Sequence, residues 1–503
     1  MDNGGELNLD EQVQLIYSND PTHTETLITN LTSSSNHHRS QAETLLNHLG
    51  FHFLPRIAKF LRLSPNPTTR TMCALLLRNL ILTHWPQVYA VPRSTICHLL
   101  AYSLHMESDP SIARKICDTA SDLAAIIILP YSYARSSDLL YWPSFIRFFN
   151  SGVALADQRL KQMCLRIFAR VPQNVREFLL PDSTSRHDFL AGSLAAPNCF
   201  DVRVTAVAAA VNFLQCLPNL SEQDRFEDLL PLMMSTFTDV LVSGHEAAVQ
   251  DSLKLFIELA ENWPRLLEKQ VTNMVESMLE VAEDESLEEG TCHLALEFVM
   301  TLSETGERAP EVMRKMLQFV QRLLLVAMKL LLDIGGDLVE AEAEGTNNYE
   351  YGQECLYRLS VYFGGSAIVP IVSELLPTYL AASEWKKRHA ALIALAQIAD
   401  GCSDEMIKNM DHVLSMVLDS FHDPHARVRW AAVNAIRQWS TDLGPDLQVK
   451  YHHLVLPALA GAIDDSQNPR LQAYAASAVS IFAENCIIRF VKPYSNILRH
   501  CNL

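Results

Sequence analysis

At 503 residues the chain is too long for a single hydrophobic core, so it holds either several domains or one long stack of repeats. Hydrophobic residues make up 49% and charged residues 19%, which excludes wholesale disorder. The formal net charge of −18 disfavours contact with phosphate backbones and favours basic protein partners.

Helix is favoured over sheet, because only 17 glycines accompany abundant Leu and Ala. The N-terminus, Met1 to Asp10, is polar and acidic and carries no secretory leader pattern. The eleven cysteines are scattered from Cys73 to Cys501 without a CxxC pair. Cys117, Cys164 and Cys292 fall in apolar helical stretches and are expected to be buried free thiols of a reducing compartment. The apolar runs Leu123 to Leu129 and Leu323 to Met328 are far too short to span a bilayer.

Helical periodicity runs through nearly every segment, and the helices come in pairs. Pairs are predicted to begin near Thr22, Phe51, Val91, Trp142, Asn174, Phe226, Leu267, Ala309, Ile368, Asp404 and Leu447. One slot near the start of the second helix recurs. Arg70, Arg114, Lys161, Arg203 and Gln250 follow one another at 44, 47, 42 and 47 residues, and Arg388, Arg429 and Gln472 at 41 and 43. A period of roughly 40 to 47 residues built from helix pairs is the HEAT pattern, and at about 45 residues each the chain holds about eleven repeats. The expected fold is an all-α, right-handed α-solenoid of HEAT repeats, incomplete at its C-terminus. Each pair buries a small-residue face on the next.

The clearest repeat reads DPHARVRWAAVNAIRQW, from Asp423 to Trp439. Val428, Ala432 and Ala435 are assigned to its core. Asp423, in the turn, is expected to pair with an Arg of its own repeat or a neighbouring one, which gives Arg429 and Arg388 structural roles. Trp430, Asn434 and Arg437 fall together on the other side at i, i+4 and i+7, where an aromatic ring beside an amide could hold an extended peptide. The equivalent positions elsewhere are His389, Ile393, Ala473 and Ser477, and in the N-terminal part Lys115, Thr119 and Asp122.

Catalytic patterns are missing. There is no GxxxxGK[ST] loop, no GxGxxG after a strand, no HExxH and no GxSxG. The adjacent pairs His37-His38 and His452-His453 point about 100° apart on a helix and make poor metal sites. Gly364-Gly365 reads as a helix stop rather than a phosphate cradle. The run EDESLEE, Glu283 to Glu289, reads as a solvated turn leading into a helix N-terminus. An enzyme, a cofactor or a metal is therefore not expected.

Six passages carry a family resemblance. They are SQAETLL (40–46), ARKICDTASDLA (113–124), LALEFVMTLSETGERAP (294–310), YGQECLYRLSVYFGG (351–365), EWKKRHAALIALAQIADGC (384–402) and DPHARVRWAAVNAIRQWSTDLGP (423–445). In order and spacing the chain resembles the importin-β (karyopherin-β) family of nuclear transport receptors, and within it the β-3 or importin-five subclass. The resemblance implies cargo binding on a concave surface formed by second helices, contact with phenylalanine-glycine nucleoporins, release by Ran-GTP, and shuttling between cytoplasm and nucleus through the pore. Cargo would be basic proteins with nuclear localisation signals, ribosomal or histone-like, with no nucleic acid bound directly and no membrane insertion.

By the same resemblance, Ran contacts fall on Glu43, Arg78, Lys115, Asp118 and Asp122. Cargo contacts fall on Trp385, Trp430, Asn434 and Ser477. The acidic loop of the eighth repeat corresponds to Asp337, Glu340, Glu342 and Glu344. The implied organisation is an N-terminal polar extension (1–21), N-terminal repeats for Ran (22–222), central repeats (223–332), the acidic loop (333–350), repeats for cargo (351–486) and a divergent end (487–503). Family members are roughly twice as long, so the C-terminal half is expected to be absent. A rival reading shares the fold: a HEAT scaffold or chaperone for basic proteins without Ran-dependent transport.

Overall fold

The computed structural model describes residues 8–18, 20–127, 142–154, 157–197, 199–335 and 347–484. The acidic-loop residues Asp337, Glu340, Glu342 and Glu344 and the end segment 487–503 lie outside the described residues. Among those described, the regular structure is helical throughout, with no strand.

Among the described residues eleven helix pairs follow one another, and nine of the eleven begin within about four residues of the position the sequence predicts. The pairs are Thr22–Leu31 with Asn36–Leu49, Leu54–Leu63 with Pro67–His84, Ala90–Met106 with Pro110–Ile127, Pro143–Ala154 with Gln158–Arg170, Ser183–Leu194 with Phe200–Gln215, and Leu229–Val242 with Glu246–Asn262. Then come Val271–Glu283 with Glu289–Glu304, Pro310–Met316 and Val320–Leu330 with Asn347–Phe363, Gly365–Leu380 with Trp385–Gln397, Met410–Asp419 with Ala426–Asp442, and Asp446–Ile463 with Pro469–Glu484. They are called pairs 1 to 11 below. Pairs 5 and 10 start later than expected because short helical turns at 172–179 and 403–408 precede them. One helix was hidden in the stretch read as a polar extension: Leu9–Tyr17, closed by a capping box between Asn8 and Glu11, with Ile16 buried.

The second helices start where the sequence supplies a cap or a proline. Asn66 accepts from the Thr68 N–H ahead of Pro67. Asp109 accepts from Ser111 and Ile112, and Asp157 from Arg159 and Leu160. The helix over 347–363 stops at Gly364, whose φ of +73° is open to glycine and strained for other residues.

The chain divides into two compact units, 1–255 and 256–503. In the first, the second helices of pairs 2 to 5 stack in order on fully buried small residues such as Ala74, Cys117, Ala120 and Cys164. Side-chain hydrogen bonds to helix carbonyls join successive pairs: Thr119 Oγ1 to Ala74 O at 3.2 Å, Trp142 Nε1 to Cys97 O at 2.9 Å and Asn212 Nδ2 to Ala169 O at 2.9 Å. In the second unit, Trp385–Gln397, Ala426–Asp442 and Pro469–Glu484 stack likewise, on Ala390, Ala391, Val428, Ala432, Ala435, Ala475 and Ala478. Trp439 is wholly buried there and donates from Nε1 to Leu395 O at 3.0 Å. Gly401 sits so close to the Ser360 and Val361 backbone that a Cβ could not fit.

Arginines tie the turns together in one recurring way. Arg388 of pair 9 donates to Ala382 O and Ser383 O in its own turn and, from Nε and Nη2, to Asp423 of pair 10. Arg429 of pair 10 repeats this with Asp423 O, Pro424 O and, at 3.0 Å, Asp465 of pair 11. Arg70 of pair 2 does the same with Ser64 O, Pro65 O and Glu107. The structural role expected of Asp423, Arg388 and Arg429 is thus an inter-repeat one. The slot fails in pair 3, where the exposed Arg114 turns back to Pro110 O. The run Glu283 to Glu289 is more than a solvated turn, since Glu283 holds Arg322 and Glu285 holds Lys329.

Candidate functional site

Two groups of side chains on second helices coincide with the positions singled out in the sequence. The first lies in pairs 2 to 4. Arg78 Nε meets Asp122 Oδ2 at 2.5 Å, and Arg170 Nη2 meets Asp122 Oδ1 at 2.8 Å. Asp118 takes Arg166 through Nε at 2.9 Å and Nη2 at 3.2 Å, with Arg170 at 3.7 Å. Three guanidinium groups and two carboxylates therefore form one half-buried chain across three repeats. Arg78, Asp118 and Asp122 are brought together. Glu43 stands exposed on pair 1, and Lys115 reaches only Ser111 Oγ on its own helix. Thr119, expected on the open side, is fully buried.

The second group runs across pairs 8 to 11 as a row of rings. Trp385 stacks on His425, with centroids 4.1 Å apart and planes 5° from parallel. His389 stacks on Trp430 at 6.1 Å, and Trp430 meets Tyr474 at 5.0 Å. His389 is fully buried. Its Nδ1 lies 3.0 Å from Arg427 O, a pure acceptor, so Nδ1 carries the proton. Tyr349 O–H then donates to Nε2 at 2.9 Å. Burial pushes the imidazole down to about 4, so it is neutral at physiological pH.

Cations already cover part of this row. The Arg427 guanidinium lies over Trp385 at 5.7 Å and Arg437 over Tyr474 at 5.1 Å. Asn434 is buried rather than open, with its Oδ1 accepting from Tyr474 O–H at 3.0 Å. Two buried donor atoms in the row, Trp430 Nε1 and Arg437 Nε, have no hydrogen-bond partner among the described residues. Ser477 is exposed, whereas His389 and Ile393, placed on the open side in the sequence reading, are buried. The ring that follows Trp430 belongs to Tyr474, one residue beyond the expected Ala473.

Sequence reasoning missed two carboxylates toward the far end of the same helices. Asp400 accepts from Tyr357 O–H at 3.3 Å, and Asp442 accepts from Gln438 Nε2 at 3.1 Å. Neither pairs with a cation among the described residues. Burial, with the Asp400 charge added, pushes Asp442 above the usual carboxylate range despite the Gln438 hydrogen bond. From Trp430 to Asp442 is roughly 18 Å along the helix, taking 1.5 Å per residue. The only sequence signal for these residues was their place at the ends of the second helices.

Burial pushes the Cys73, Cys97, Cys117, Cys355 and Cys402 thiols up to about 12, far from a usable thiolate. Cys292, expected buried, is half-exposed and bonds to Asp284 O. Among the described residues no three His, Cys, Asp or Glu side chains gather as a metal site would need.

Comparison with known proteins adds names to this geometry. Residues 108–277 match the family described as IPO5-like, TPR repeats, residues 284–370 the Importin repeat, and residues 386–440 the Vacuolar 14 Fab1-binding region. The chain is 25% identical to Importin subunit beta-3 of Saccharomyces cerevisiae over 460 residues, covering 89% of this chain and 41% of the relative. It is 22% identical to human Importin-4 over 423 residues, covering 81% of this chain and 37% of the relative. Among solved structures, Kap121p bound to Nup53p superposes with a TM-score of 0.81 at 23% identity, over 98% of this chain and 47% of the other. Kap121p bound to RanGTP gives 0.80 at 24% identity, over 95% and 46%. The chain spans less than half the length of these relatives.

Proposed function

The chain belongs to the importin-β family, and on that premise we propose that it is a nuclear-import-receptor-like HEAT scaffold holding a basic segment of cargo along the second helices of pairs 8 to 11. The observation that carries the reading is the combination on those helices of an aromatic row, Trp385, Trp430 and Tyr474, with two carboxylates, Asp400 and Asp442, that no cation neutralises among the described residues. The aliphatic stem of a lysine packs on a ring while its ammonium seeks a carboxylate. The exposed Ser477 offers a hydrogen bond to the segment's backbone. The −18 charge draws basic proteins in from a distance.

In this proposal residues 351–486 serve cargo, and 22–222 serve a GTPase through the Arg78–Asp122–Arg170 chain with Glu43 and Lys115. The acidic loop at 333–350 lies between them in sequence. Support comes from the solved relative, whose structures include complexes with RanGTP, Nup53p and Pho4p. Ran-GTP, basic cargo and phenylalanine-glycine nucleoporins are the proposed partners, and work in both cytoplasm and nucleus follows from that role.

A second reading, a scaffold that binds basic proteins without Ran-dependent release, is favoured by one observation. Asp118, Asp122 and Arg78 are already saturated by one another and by Arg166 and Arg170, so a GTPase would have to break those pairs. Fluorescence anisotropy of a labelled basic localisation-signal peptide decides between the two. Micromolar binding that Ran-GTP abolishes supports the receptor reading, and binding indifferent to Ran-GTP supports the scaffold. Failure of the peptide to bind at low salt overturns both.

A further inference from the structure

One stretch runs against the charge of the whole chain. Residues 44–106 contain six Lys and Arg and not one Asp or Glu, in a protein of net charge −18. Arg70 and Arg78 are neutralised by Glu107 and Asp122 of pair 3, and Arg56 and Arg93 spend hydrogen bonds on backbone or hydroxyl oxygens. Lys59 and Arg62 remain, exposed on the first helix of pair 2 one turn apart. Arg147, exposed on the first helix of pair 4, is a third. None of the three pairs with a carboxylate among the described residues.

These cations border a groove. The first helices of pairs 3 and 4 leave between them a cleft of about 230 Å³ lined by His98, Ala101, Tyr102, His105, Arg147 and Phe148, among others. Its floor is apolar, with Ala101 and Phe148 buried. Tyr102 forms one wall, and the Arg62 guanidinium lies over the Tyr102 ring at 4.1 Å, which places a pair 2 cation at the rim. Met106, at the end of the pair 3 helix, and Leu63, beside Arg62 at the end of the pair 2 helix, are exposed apolar side chains. The cleft is smaller than the roughly 300–1,000 Å³ usual for small-molecule pockets and suits one anchoring side chain of a larger partner. Among the described residues no carboxylate lines it, so a basic segment finds no counter-charge there, whereas an acidic one finds Arg62 and Arg147.

We propose that this groove docks an acidic segment of a partner protein, with one large apolar side chain seated against Phe148 and Ala101 and its carboxylates set on Arg62 and Arg147. The site lies on the first helices of the N-terminal unit and is built from none of the second-helix residues assigned to basic cargo. It lets one chain carry partners of opposite charge. Arginine's forked donors suit carboxylates, and the Tyr102 ring holds the Arg62 fork in place.

The test uses the full chain and a fluorescein-labelled peptide of glutamate, aspartate and phenylalanine, read by anisotropy at low salt. Controls are the same peptide with lysine for its acids, the same peptide with serine for phenylalanine, and a single-stranded oligonucleotide. The proposal requires the acidic aromatic peptide to bind. It also requires R62E/R147E, with an unchanged circular-dichroism spectrum, to bind it at least roughly tenfold more weakly, the scale expected when charge complementarity is reversed. Loss of affinity in the serine peptide confirms the apolar anchor. Equal binding by R62E/R147E, equal binding of the lysine peptide, or tighter binding of the oligonucleotide overturns it.

Discussion

Arg388 and Asp423 belong to successive repeats and meet through two parallel hydrogen bonds, Nε to Oδ2 at 2.7 Å and Nη2 to Oδ1 at 2.9 Å. The same guanidinium also closes its own turn on Ala382 O and Ser383 O. One side chain thus fixes both the loop inside a repeat and the angle to the next. Burial pushes the Asp423 carboxyl up, but the Arg388 hydrogen bonds outweigh it and hold the group below the usual range.

Removing Arg388 strips two carbonyls and one carboxylate of their donors. Arg388→Ala is expected to cost about 2 kcal/mol, read as a lower midpoint of thermal unfolding and faster amide exchange in pairs 9 and 10. Because the folded-state pKa of Asp423 is depressed, the ion pair's contribution is present above the ordinary aspartate range near pH 4 and is lost as pH falls through the lowered value. The mutant penalty should therefore shrink in strong acid. A penalty that is the same at pH 7 and pH 3 would mean that the arginine works through packing alone.

His389 gives a second pH signature in a different window. It is neutral and buried, accepting from Tyr349 and donating to Arg427 O, with its pKa pushed down to about 4. The unfolded chain takes up the proton near pH 6.5, so the folded state loses stability as pH falls from there to about 4. At pH 5 the loss attributable to this one side chain is about 2 kcal/mol. His389→Gln should flatten the dependence of the unfolding midpoint between pH 7.5 and 5. Tyr349→Phe should cost about 1 kcal/mol at neutral pH, by leaving Nε2 without a donor.

Gly401 marks a close approach between pairs 8 and 9. Its added Cβ would collide with the backbone of Ser360 and Val361, which cannot rotate away. Gly401→Ala is expected to destabilise by roughly 2–3 kcal/mol, as overpacking does, measured by chemical denaturation. Gly335→Ala, where a Cβ meets nothing within 4 Å, serves as the control and should change stability little.

Much of the architecture was legible because its cause is periodic. The Asp-Pro turn, the arginine slot and the alanines at Ala431, Ala432 and Ala435 recur every forty-odd residues, and the helices pair and stack where that rhythm places them. The side-chain traffic between repeats was not legible. Trp430 and Asn434 look like an open face within their own helix, yet Tyr474, from the next pair, reaches across to cover both. His389 and Ile393 look equivalent to exposed positions, but rings from neighbouring pairs enclose His389. Asp400 and Asp442 carry no motif, and only the stacking shows that they lie near each other with no cation paired to either among the described residues. A repeat's sequence states which side is small. It does not state how far a neighbour's long side chain leans over the other side.

Whether a basic segment lies along the second helices of pairs 8 to 11 is tested most directly by one titration. A labelled basic peptide is titrated with the wild-type chain and with D400N/D442N at several salt concentrations, by fluorescence anisotropy. The prediction is micromolar binding by the wild type that weakens with salt, and a loss of about 1–2 kcal/mol in the double variant with a shallower salt slope. Equal affinity and equal salt dependence in the two proteins would contradict it.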